Sequence, residues 1–80
     1  MHETHLIKPI IEGIEAHAAR EGAQTVLKVR VRIGELTGVK EASFKQTFSI
    51  LAKDTLLENA ELELNVFPGS HIEVISFDIG

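Results

Sequence analysis

Cysteine, tryptophan and tyrosine are absent from this 80-residue chain, and proline occurs only twice. The first absence excludes disulfides and thiolate metal sites, so any bound metal must be taken by nitrogen or oxygen donors. Without tryptophan or tyrosine, and with a formal net charge of −4, the chain lacks the stacking platforms and the basic surface on which nucleic-acid binding rests. No apolar run exceeds a few residues, and residues 1–20 carry Glu3, Glu12 and Glu15 where a targeting segment needs a basic flank and a greasy stretch. These features predict a cytoplasmic protein with no membrane partner. A hydrophobic content of 44% is that of a folded globule. The length allows one domain and one modest core, since domains of this size bury only about 60% of their unfolded-chain surface.

Leu6, Ile10, Ile14 and Ala18 recur at helical spacing, with Ile7 and Ile11 widening the stripe, and predict a helix over residues 4–20. Pro9 fits that helix only near its first turn, because a proline further in lacks a donor and crowds the carbonyl four residues back. Gly22 supplies the stop. From Val26 to Ile33 the period changes to two, with Leu27, Val29, Val31 and Ile33 facing one way and Lys28, Arg30 and Arg32 the other. Gly34 and Gly38 bracket a turn, and Phe44, Phe48 and Leu51 then predict a second helix over residues 40–53.

Leu62, Leu64 and Val66 alternate with Glu61, Glu63 and Asn65, a second strand whose acidic face complements the basic face of the first. Pro68-Gly69 suits the centre of a type II turn, with a hairpin to a last strand over residues 71–79. In that strand Ile72 and Val74 differ in phase from Phe77 and Ile79, which an extra residue at Ile75-Ser76, a bulge, reconciles. The expected architecture is α+β, in the order α-β-α-β-β. Two helices pack on one face of a small three-stranded mixed sheet, and a right-handed crossover favours a parallel first pair.

The first three residues, Met1-His2-Glu3, bring together an α-amine, an imidazole and a carboxylate. The Met1 amine, the deprotonated His2 amide nitrogen and His2 Nδ1 close fused chelate rings suited to a tetragonal ion such as Ni(II) or Cu(II). An unperturbed amine value of about 7.7–8 leaves a free terminus partly available at neutral pH. Glu3 offers a carboxylate or backbone nitrogen for a fourth position, and also suits the positive end of a helix without any metal. His5, a turn away, is a weaker candidate. His17 and His71 read as structural or solvated, and Glu61 with Glu63 as a solvated strand face with no cleft. No nucleophile setting or phosphate-binding loop is present, so an enzyme is not expected.

Several segments now stand in a telling order: Met1-His2-Glu3, a helix, Ile33-Gly34-Glu35-Leu36-Thr37-Gly38-Val39 after the first strand, Leu51-Ala52-Lys53-Asp54-Thr55-Leu56 closing the second helix, and Ala60-Glu61-Leu62-Glu63-Leu64. Over residues 1–68 this set resembles the HypA family of nickel metallochaperones for [NiFe]-hydrogenase and urease maturation, and Ile72-x-Val74-x-x-Phe77-x-Ile79 resembles that family's final strand. The resemblance implies Ni(II) held by Met1, His2 and Glu3, with a HypB-like GTPase and the hydrogenase large subunit as partners. It also marks two departures. The family's zinc module of paired Cys-x-x-Cys motifs is missing, a short turn near residues 68–70 standing in its place, so no zinc is expected. A natural short variant and an engineered deletion both accord with that joint. Near position 40, where the family often has an acidic residue approaching the nickel, this chain has Lys40 with Glu41 beside it, and a cation there opposes a bound dication. The alternative reading is therefore a HypA-like interaction or structural domain that delivers no metal. The short joint and small core also lead to an expectation of homo-oligomers through strand pairing or exchange.

Overall fold

The computed structural model describes residues 3–80. Its elements follow the expected order: α1 (Thr4–Arg20), β1 (Val26–Gly34), a 3-10 turn (Glu35–Thr37), α2 (Glu41–Leu51), β2 (Glu61–Phe67) and β3 (Ile72–Ile79). α1 forms because one stripe of its surface is apolar: Ile7, Ile11, Ile14 and Ala18 are buried. It ends as its sequence dictates. Gly22 takes a φ of 76°, the Ala23 N–H reaches the Ala18 carbonyl and the Gly22 N–H reaches that of Ala19, which satisfies the last turn with a left-handed glycine. Pro9 differs from expectation, lying within the helix beyond its first turn. His5, four residues earlier, is exposed, so water can serve the carbonyl that Pro9 leaves without a donor.

The sheet order is β2-β1-β3, with β2 parallel and β3 antiparallel to β1. This overturns the hairpin at Pro68-Gly69. β3 does not turn back on β2; the chain crosses the C-terminal end of β1 and pairs on its far side. Nor is the joint a type II turn, since Gly69 has no positive φ. The Gly69 N–H instead bonds the Phe67 carbonyl across Pro68 at 2.9 Å, a three-residue turn that suits the fixed φ of proline. Two bonds strap the crossing down: the Gly34 N–H donates to the His71 carbonyl at 2.8 Å and the Leu36 N–H to that of Gly69 at 2.9 Å. A Cβ on Gly34 would strike the Gly69 carbonyl and stand 2.8 Å from the His71 oxygen. Glycine is needed there for space.

The bulge expected at Ile75-Ser76 is present, for Arg30 pairs with Ser76 and Val31 with Val74, leaving Ile75 unopposed. A second bulge corrects the reading of β1. Val26 pairs with Ile79 and Lys28 with Asp78, so Leu27 is the extra residue; it is 54% exposed while Val26 is buried. The strict alternation read from the sequence fails at that one residue because the partner strand skips it.

The core lies between the helices and the inner sheet face, where Phe44, Ile7, Ile33, Leu57, Val29 and Val31 are fully enclosed. Each such side chain contributes roughly 1.5–3 kcal/mol of burial. The segment between α2 and β2 is tied in from two sides. The Leu56 N–H donates to Glu15 Oε2 of α1 at 3.0 Å, and the Leu56 carbonyl accepts from the Val26 N–H at 2.8 Å. Asp54, where this segment leaves α2, takes a φ of 65°, a left-handed conformation that aspartate tolerates better than most residues but that glycine adopts more readily.

Candidate functional site

The amino-terminal chelate falls partly outside the described residues: Met1 and His2 lie beyond them. What is described is their base. Glu3 immediately precedes α1 and is only 4% exposed, and its carbonyl accepts from the N–H groups of both Leu6 and Ile7 at 2.9 Å. The residue joining the chelating pair to the body is thus fixed by the first helical turn. His5 is exposed on that turn, and Glu41 is exposed at the start of α2, following Lys40 in extended conformation. Among the described residues no three histidine, aspartate or glutamate side chains group closely enough to hold a metal ion. Glu3, His5 and Glu41 therefore do not form a ligand set by themselves, and a chelate here depends on the terminal nitrogens.

The outer face of the sheet carries three columns of charge. Lys28 of the central strand bonds Glu63 at 3.0 Å and lies 3.9 Å from Glu61, both on β2. This is the adjacency expected from the complementary faces. Arg30 and Arg32 turn the other way, which the sequence reading missed. Arg30 Nη1 and Nη2 each donate to the Asp78 carboxylate at 3.1 Å, and Nη1 also reaches Ser76 Oγ. Arg32 Nε lies 3.3 Å from Glu73 without forming a hydrogen bond, while its guanidinium sits 4.0 Å from the centroid of Phe67.

His71 packs edge-on against the same ring and shares a 2.6 Å contact with Glu73 Oε2. The hydrogen bond from Arg30 holds the Asp78 carboxyl below its usual range, the bond with His71 does the same for Glu73, and Lys28 does so for Glu63. The only hint in the sequence was that β3 repeats the acidic alternation of β2. Its partner could not be read from that pattern.

His17 is exposed and meets Phe77 edge-on at 5.4 Å, a packing contact. A mainly apolar hollow of about 450 Å³ lies at the α1 start, between Leu6 and Ile10 and the crossing at Ser70 to Ile72. Among the described residues no helix is long and apolar enough to cross a membrane.

Fold and sequence together define a class: a small α+β domain in which candidate metal donors precede the first helix. The comparisons name the family within that class. Residues 1–72 match the family described as "Hydrogenase/urease nickel incorporation, metallochaperone, hypA", and the chain belongs to the HypA family. It is 35% identical over 68 residues to "Hydrogenase maturation factor HypA" of Desulfitobacterium hafniense, covering 85% of this chain and 60% of that protein. It is 38% identical over 66 residues to the protein of the same name in Archaeoglobus fulgidus, covering 82% and 60% respectively. The chain thus spans about 60% of the length of these curated relatives. In fold it is similar to the solution structure of the Ni metallochaperone HypA from Helicobacter pylori, with a TM-score of 0.83 at 18% identity, over 99% of this chain and 97% of that one. The family as described is one of metallochaperones, not of catalysts.

Proposed function

We propose that this chain is a nickel-binding accessory domain that takes up Ni(II) for the maturation of [NiFe] hydrogenase or urease. The observation that carries the reading is the family match from Met1 onward, joined to a Glu3 pinned under the first turn of α1. The ion is cargo. It is held by the Met1 amine, the His2 amide nitrogen and imidazole, and one group from Glu3 or nearby. Because the donors precede the folded body, they can exchange the ion for a partner's ligands without unfolding. The partners implied by the family are a HypB-like GTPase and the hydrogenase large subunit, and the compartment is the cytoplasm. Zinc is not part of this reading, because the chain has no cysteine and Pro68-Gly69-Ser70 stands where the family carries its zinc module. Of the two routes to a homo-oligomer, strand exchange is favoured over edge pairing, since both edges of the sheet carry acidic columns that would face their own kind.

Calorimetric titration of Ni(II) into protein with a free amino terminus, alongside His2→Ala, tests the chelate. Stoichiometric binding lost in the variant is expected, with visible absorption typical of a planar nickel–amide complex; equal affinity in the two proteins sinks the model. A second reading, a HypA-like interaction or structural domain that delivers no metal, is favoured by one observation. Lys40 is exposed before α2, at the position where the family often has an acidic residue approaching the nickel, and a cation beside the ion would repel it.

A further inference from the structure

The free edge of β2 is built to accept another strand. β2 pairs with β1 in unbroken register from Lys28↔Glu61 to Gly34↔Phe67, and among the described residues its other side faces no strand. Along Glu61–Phe67 the guards against pairing are reduced to the acidic charge of Glu61 and Glu63, for there is no proline, no lysine and no bulge. Beside it, between α2 and β2, runs a groove of about 200 Å³ whose accessible surface is mixed, polar at Ser49 and apolar at Ala60 and Leu62, its remaining apolar lining, Phe48, Ala52 and Leu57, being buried. Lys45 and Glu58 also line it and offset each other in charge. Val66, on the same face of the strand, is 50% exposed.

The charge of the outer face says what fits. Glu61 and Glu63 share one cation, Lys28, and Glu61 remains 73% exposed at 3.9 Å from it. Within the molecule, acidic columns are matched by the basic column of β1. The β2 column has a basic neighbour on one side only. We infer that β2 is a docking edge for an extended segment of a partner protein in which apolar and basic residues alternate, the apolar side chains entering the groove and the basic ones facing Glu61 and Glu63. A second copy cannot supply that pattern. Its own basic column, Lys28, Arg30 and Arg32, lies on the central strand, and both its edges are acidic.

The test is an NMR titration of the whole chain with an end-blocked heptapeptide of alternating valine and lysine, set against one of alternating valine and glutamate. The expected result is shift changes and slowed amide exchange confined to residues 61–67 and the groove, with the lysine peptide only, weakened by added salt. Glu61→Lys, at an exposed position that leaves the Lys28–Glu63 pair intact, should weaken binding about tenfold or more. Four results would each overturn the inference: no binding of the lysine peptide up to about 1 mM, equal binding of both peptides, changes centred on β3, or concentration-dependent changes at residues 61–67 without peptide, which assign the edge to a second copy.

Discussion

The two outer strands present similar acidic columns to solvent, Glu61 and Glu63 on β2, Glu73 and Asp78 on β3, yet they are finished differently. On β3 every carboxylate has its own cation: Asp78 takes a forked bond from Arg30, and Glu73 lies between Arg32 and His71. The strand is also bulged at Ile75, which spoils it as a template for further pairing. β2 is straight, and its two carboxylates divide one lysine. The same side-chain alphabet thus makes one edge closed and the other open. Neither composition nor strand propensity separates them. What differs is the geometry of pairing with β1 and the direction in which its long cations lean.

The comparison breaks most completely if β3 cannot reach its side of β1. Gly34→Val places a branched side chain against the Gly69 and His71 carbonyls of the strap, and we expect a loss of about 3 kcal/mol, read as a lower urea midpoint. An unchanged midpoint would show that the crossing is not what positions β3.

Acid sharpens the contrast. The folded-state values of Asp78, Glu73 and Glu63 lie below their ordinary ones, so each adds stability above its unfolded value, and that stability is lost as pH falls through the folded value. The window therefore opens below the ordinary carboxylate values of 3.8–4.5. Two of these groups belong to β3 and one to β2, so amide exchange should accelerate along β3 first on acidification. These are exposed pairs and each contributes little. Asp78→Asn should flatten the acid limb of the stability curve, and an identical limb in the variant would refute the assignment.

The smallest effect is a control that touches neither edge. Asp54→Gly relieves the left-handed φ of 65° and should raise stability by up to about 1 kcal/mol, visible in the melting temperature. Peptide response at β2 and acid response at β3 should both be unchanged.

Much of this molecule was legible before folding. The apolar stripe of α1, the glycine stop at Gly22, the bulge near Ile75 and the match of Lys28 to Glu61 and Glu63 each follow from patterns a few residues long or from complementary charge. The metal-binding hypothesis was also legible, because the proposed donors are consecutive: Met1, His2 and Glu3 need only a free terminus. The exposed place of Leu27 and the partnership of Arg30 with Asp78 were not legible, since each depends on an element far away in the chain. The hairpin expected at Pro68-Gly69 failed for the same reason. A turn-forming dipeptide fixes local dihedrals, not the strand to which the chain next pairs.

The sequence alone therefore determined which segments are helix and strand and where they stop, and it supplied the proposal for which atoms at the start of the chain hold nickel. Periodicity, glycine conformation and ligand chemistry are local, and local information is what a linear pattern carries. Tertiary structure alone decided that β3 crosses to the far side of β1, and with it which carboxylates are neutralised and which edge stays open. That choice rests on hydrogen bonds and ion pairs between residues more than 30 positions apart, whose geometry exists only once the chain has closed on itself.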